Sequence, residues 1–344
     1  MNPPSAMPAQ STDSRTDQRL AWARAAQHEP GLELERASTD AGFRSYWRTI
    51  GPGPSRIVMD SPPDKEDVRP WLRLRDLLEG GGVRVPQVLA RDVETGFLLL
   101  EDLGRDTYLH VIDADNADAL FDAALEQLLK IQHIATPAEL PAYDAPMLMR
   151  ELRLFDEWFC ERHLGLALSD AERGVLAEAH RFLIESALAQ PQVLVHRDFM
   201  PRNLMPASAG PAVLDFQDAV RGPLAYDALS LFKDAFLSWP EARVDAWLDH
   251  YHARATTSGL PVPSRTQFRR DADLIGVQRH LKVIGIFARL HHRDGKPKYL
   301  ADVPRFFRYL DATLPRYREL DGLRGFLDAR VRPALAAAPQ VPSS

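Results

Sequence analysis

Residues His196 to Asn203 read H-R-D-F-M-P-R-N, and twelve positions beyond Asn203 the apolar segment Val213-Leu214-Asp215-Phe216 carries a second aspartate. Chemistry from this pair of segments requires a fold that brings two loops together, so that Asp198, Asn203 and Asp215 share one cleft. The residue types suit phosphoryl transfer from a magnesium nucleotide. Asp198 would take the proton of an attacking hydroxyl, while Asn203 and Asp215 would hold the cation with oxygen ligands. Asparagine occurs only at Asn2, Asn116 and Asn203, so its place five residues behind Asp198 is informative. A buried His beside a solvated Arg-Asp turn would explain the first segment but not the second.

The rest of the chain limits the alternatives. With 344 residues there is enough chain for two lobes and a sizeable core. The net charge of −6 comes from interspersed acids and bases, which argues against a nucleic-acid or anionic-membrane surface. A single cysteine excludes an internal disulfide, and Cys160 lies in an apolar helical stretch where a core thiol is expected. No apolar run has the length of a membrane span, and the first residues lack the basic and apolar regions of a signal peptide. These features predict a cytoplasmic protein that meets small molecules and needs no obligate protein partner. Pro/Ser/Thr-rich and Ala/Pro/Ser compositions predict disordered tails over 1–18 and 335–344.

Between the tails the periodicity changes once. A helix is predicted from Asp17 to Gln27, then strands near Glu33–Arg36, Phe43–Thr49, Arg56–Asp60, Gln87–Asp92 and Phe97–Glu101. A helix over Lys65–Leu78 separates the third strand from the fourth, stopped by Gly80-Gly81-Gly82. From Asn116 the pattern is helical, with Ser169-Asp170-Ala171-Glu172 reading as a capping box. The expected fold is α+β and bilobal. A small N-lobe (19–103) has about five antiparallel strands, one helix and a hinge, and a large helical C-lobe (104–334) carries catalysis and substrate binding.

The remaining candidates follow from placement. His196 and Arg197 are expected to pack and hydrogen-bond so as to hold the catalytic loop, and Asp227, early in a helix, to accept that loop's amides. Met200, being apolar, is expected to pack and not to meet phosphate. Asp218 suits a second ion or a substrate hydroxyl equally with a solvated position. On the nucleotide side, Ser38, Thr39, Gly42 and Arg44 lie in the turn between strands one and two, where backbone amides and hydroxyls can meet phosphate. Backbone groups at Glu101, Asp102 and Leu103 form a hinge suited to adenine. Strand three ends in Asp60, a carboxylate where a phosphate-binding Lys is expected, so Arg44, Arg48 or Lys65 must supply the positive charge. Basic residues crowd the region from Arg279 to Arg305 and disfavour a cationic substrate. Within that region, His291-His292 has neither the spacing nor the cysteines of a zinc site.

At these residues the chain resembles the aminoglycoside phosphotransferase and choline kinase superfamily, over about Arg19 to Leu327. The stretches that carry the likeness are A-S-T-D-A-G-F-R-S-Y-W-R at 37–48, I-V-M-D-S-P-P at 57–63 and G-F-L-L-L-E-D-L-G at 96–104. H-R-D-F-M-P-R-N-L-M at 196–205, L-D-F-Q-D-A-V-R-G-P at 214–223 and Q-R-H-L-K-V-I-G-I-F-A-R-L at 278–290 complete them. Within the superfamily they are most similar to the bacterial amino-sugar anomeric kinases. The resemblance implies ATP- and Mg2+-dependent phosphorylation of the C1 hydroxyl of N-acetylmuramate and N-acetylglucosamine, in recycling of cell-wall sugars toward UDP-sugars. Arg202, Gln278 and Arg279 stand in or near matched stretches and are expected at the sugar. An aminoglycoside, choline or homoserine kinase is the nearest alternative. A nucleotide-binding regulator without catalysis is the reading from another class, motivated by the missing Lys.

Overall fold

The computed structural model describes residues 12–38, 43–208 and 210–337. Helix α1 (Thr12–Gln27) precedes a five-stranded antiparallel sheet: β1 (Glu33–Ser38), β2 (Ser45–Ile50), β3 (Arg56–Asp60), β4 (Val88–Asp92) and β5 (Phe97–Glu101), in the order β1-β2-β3-β5-β4. Helix α2 (Arg69–Gly80) joins β3 to β4. It starts four residues later than its periodicity predicts because Pro70, lacking an N–H, sits in its first turn. Residues 65–68 are thereby left outside the helix, which bears on the site.

α1 begins at Thr12, inside the stretch expected to be a disordered tail to residue 18. Its order comes from tertiary contacts. Arg15 and Arg19 reach across to Asp60 at 2.6 and 2.9 Å, and their guanidinium groups lie over Phe97 and Trp47. Beneath α1 a small cluster of Ala23, Leu32, Val58 and Leu99 fills the outer face of the sheet. Alternation along β3 puts Asp60 on the same face as Val58, and Met59 on the opposite face with the main core. The other tail position expected as disordered, from 335, is helical to Ala337. Residues 1–11 and 338–344 lie outside the described residues.

The helical lobe contains α3 (Tyr108–Val111), α4 (Ala117–His133), α5 (Ala145–Leu154), α6 (Asp170–Ala189), α7 (Ala225–Phe232), α8 (Glu241–Thr257), α9 (Arg265–Asp294), α10 (Val303–Thr313), α11 (Asp321–Phe326) and α12 (Arg332–Ala337). The capping box predicted at Ser169 is present, with Glu172 and Ser169 each bonded to the other's backbone. α5 continues as π-helical turns over Phe155–His163. There α9 crosses it so closely that a Cβ on Gly285 would stand 2.3 Å from the Leu154 carbonyl carbon. Only glycine fits such an approach. Cys160 is buried in this packing, as expected of a core thiol. Among the described residues no helix is long and apolar enough to cross a membrane.

Candidate functional site

Two small antiparallel ribbons carry the candidate loops. One pairs β6 (Gln192–Val195) with β9 (Val220–Pro223); the other pairs β7 (Leu204–Met205) with β8 (Ala212–Val213). Of the apolar segment Val213-Leu214-Asp215-Phe216 only Val213 is in a strand, and Asp215 turns the chain with φ 62°. Arg197 has φ 73°. Left-handed backbone at a non-glycine residue costs on the order of 1 kcal/mol or more, and it persists only when the surroundings over-determine it. Here they do. The fully buried carboxylate of Asp227 accepts from the amides of His196 at 2.7 Å and Arg197 at 3.0 Å. Burial pushes that carboxyl up to about 7, against the pull of the two amides. The amide of Leu214 donates to the Asn203 carbonyl at 2.9 Å, tying the two loops together. Trp71 of α2 packs on Phe216 at 5.1 Å, which sets the second loop against the sheet lobe.

Asp198, Asn203 and Asp215 line one open cleft of about 380 Å³. The Asn203 side chain donates to the Asp198 carbonyl at 2.9 Å and lies 3.5 Å from an Asp215 carboxylate oxygen. Its nitrogen therefore faces protein acceptors, leaving the amide oxygen for a cation. Gln217 donates to the other Asp215 oxygen at 2.6 Å. An amide oxygen beside a carboxylate is an oxygen-only donor set, which fits a hard divalent cation such as magnesium.

His196 is buried, and burial keeps its imidazole neutral; its Nδ1 accepts the Asp198 amide at 3.3 Å. Arg197 pairs with Glu151 at 2.6 Å and donates to the Asp218 carbonyl at 3.2 Å. Glu151 also holds Lys282 at 3.0 Å. Burial alone would raise its carboxyl, but the charges of Lys282 and Arg197 hold it down to about 2. Sequence spacing gave no hint of this buried network, because Glu151, Arg197 and Lys282 come from three distant elements. Asp218 also lines the cleft.

Aromatic and cationic residues line the same cleft. Exposed Arg202 lies over the Phe236 ring at 5.2 Å, and Lys296, Phe287 and Tyr299 continue the lining. Arg279 lines the cleft from a buried position, donating to the Lys233 carbonyl at 3.2 Å. Gln278 does not line it. Expected at the sugar, this side chain is fully buried and donates to Glu151 at 3.1 Å, because α9 turns it into the lobe interior. Met200, buried, also lines the cleft.

On the sheet side, Asp60 and the three cations considered in place of a Lys take different positions. Asp60 is neutralised by Arg15 and Arg19 on the outer face of the sheet. Lys65 is about half exposed and pairs with Asp64. Arg48 is committed to Asp102 at 2.6 and 3.0 Å and to the Gly104 carbonyl at 2.6 Å. Burial would raise the Asp102 carboxyl, yet the bonds from Arg48, Ser55 and the Gly104 amide hold it down to about 2. This hinge carboxylate is thus a structural clamp. Arg44 alone of the three lines the cleft, its Nε 3.1 Å from Glu66 and one terminal nitrogen buried without a hydrogen-bond partner. Glu66 is in position because residues 65–68 are not helical. Ser38 ends β1 on the surface, Glu101 pairs with Arg84 at 2.5 Å and Leu103 is half-buried. Thr39 and Gly42 lie outside the described residues.

The sequence pattern of the phosphotransferase enzyme family matches residues 33–269. The chain is 54% identical over 292 residues to a Pseudomonas putida protein named N-acetylmuramate/N-acetylglucosamine kinase, spanning 85% of this chain and 86% of that one. It is 43% identical over 312 residues to a protein of the same name from Neisseria meningitidis serogroup B, spanning 89% and 93%. Among solved structures, a choline kinase from Streptococcus pneumoniae superposes with a TM-score of 0.61 at 14% identity, over 86% of this chain and 99% of that one. That likeness is one of fold.

Proposed function

The chain belongs to the phosphotransferase enzyme family, and from that premise we propose that it phosphorylates the C1 hydroxyl of N-acetylmuramate and N-acetylglucosamine with Mg-ATP. The observation that carries this is the convergence of Asp198, Asn203 and Asp215 in one cleft that aromatic and cationic residues also line. Asp198 orients the C1 hydroxyl and collects its proton late in the transfer. The hydroxyl oxygen bonds the γ-phosphorus, the bond to the β-phosphate bridging oxygen breaks, and ADP leaves. Asn203 and Asp215 hold magnesium, which when bound neutralises phosphate charge. Arg202 and Lys296 offer cations to the lactyl carboxylate of N-acetylmuramate, and the rings beside them offer faces to the sugar. The product is an α-1-phosphate, ready for activation to a UDP-sugar in the cytoplasm.

Phosphorus NMR of the product from N-acetylmuramate and Mg-ATP tests this directly. An anomeric phosphate is the expected result. ADP release with choline or kanamycin, and none with either amino sugar, would overturn it in favour of another small-molecule kinase.

Arg44, braced by Glu66, takes the place of the strand-three Lys at the ATP phosphates. Arg44→Gln is expected to lower kcat/KM for ATP by roughly thirtyfold to a hundredfold, about 2–3 kcal/mol for a lost charge-assisted contact. An unchanged kcat/KM in the folded variant would remove Arg44 from the site.

A further inference from the structure

A histidine and a remote His-His pair meet where α9 crosses the extension of α5. His163 ends the π-helical extension of α5, and His291 and His292 lie in the last turn of α9. One ring nitrogen from each lies within 4.8 Å of the others. Nδ1 of His163 is 3.3 Å from Nε2 of His292, while Nδ1 of His291 is buried and has no hydrogen-bond partner. A tetrahedral zinc ion with nitrogen ligands at about 2.0–2.1 Å separates them by about 3.3–3.4 Å, so one edge of that tetrahedron is already formed.

We propose that His163, His291 and His292 form a binding site for a zinc-class transition-metal ion, with a water completing the tetrahedron. The set is all imidazole, with no carboxylate among its three members. It therefore selects borderline ions such as Zn2+ or Ni2+ and rejects the oxygen-seeking Mg2+ that the catalytic loops suit. The adjacent His-His pair lacks zinc-ligand spacing in the sequence; the crossing of α5 and α9 supplies the third imidazole. A bound ion would staple that crossing, and α9 leads from His292 within four residues to Lys296 on the cleft wall.

The test uses the full, tag-free chain, first stripped with a chelator. Zinc chloride is titrated against a chromophoric competitor, and cobalt(II) is added separately as a spectroscopic probe. The expected result is one zinc per chain, displaced by neither Mg2+ nor ATP, and a visible cobalt absorption of four-coordinate intensity. His163→Gln and His291→Gln should each weaken zinc by roughly tenfold or more, with circular dichroism confirming that both variants fold. No zinc bound by the parent chain, cobalt bound only in octahedral form, or zinc affinity in both folded variants equal to that of the parent chain would each overturn the proposal.

Discussion

Asp198→Asn is expected to lower kcat with N-acetylmuramate by about a thousandfold while leaving ATP affinity within about threefold. The replacement keeps the shape of the side chain and removes its ability to accept a proton. The backbone around it should not move: its amide still reaches the His196 ring, and its carbonyl still accepts from Asn203 at 2.9 Å. Asp227 independently pins the two preceding amides. A thousandfold corresponds to about 4 kcal/mol of transition-state stabilisation, within reach of a base that also positions its hydroxyl. Calorimetric ATP binding and initial rates, measured on one preparation, separate the two effects. A kcat within about tenfold of the parent enzyme would mean that Asp198 neither positions nor deprotonates the acceptor.

Asp215→Asn should produce a comparable loss with a different signature. The variant keeps an oxygen ligand and can keep its bond with Gln217, but loses the only full charge in the proposed cation pair. Its rate at low magnesium should fall by about a thousandfold or more, and the magnesium concentration for half-maximal rate should rise by at least about tenfold. High magnesium or manganese should recover part of the activity, whereas neither should rescue Asp198→Asn. Identical metal curves for the parent and Asp215→Asn would place the cation elsewhere. Running the two variants side by side distinguishes proton handling from charge neutralisation, which share the same cleft.

The features legible in the chain were those whose cause is local. Alternation located the strands of the sheet to within two or three residues, since a half-buried strand writes its period into its own side chains. The capping box at Ser169 was likewise complete within four residues. Local patterns failed where the deciding partner was distant. α1 is ordered from Thr12 because Arg15 and Arg19 find Asp60, forty-five and forty-one residues away. Gln278 shares a helix turn with a cleft residue, Arg279, but a helix presents neighbours about 100° apart, and one step in sequence took it into the interior.

Asp198, Asn203 and Asp215 were expected in one cleft from residue type and spacing, and they line one, because two short loops can serve those offsets. Sequence alone also posed the problem of Asp60 without a means of solving it. The tertiary structure decided which of Arg44, Arg48 and Lys65 enters the cleft, by pairing Arg48 with Asp102 and leaving Arg44 beside Glu66. It also joined His163 to His291 and His292 across 128 and 129 residues of chain. The physical reason is the same in each case. Chemistry is fixed by what a side chain is, whereas its use depends on which remote groups have already claimed its charge, its hydrogen bonds and its exposed face.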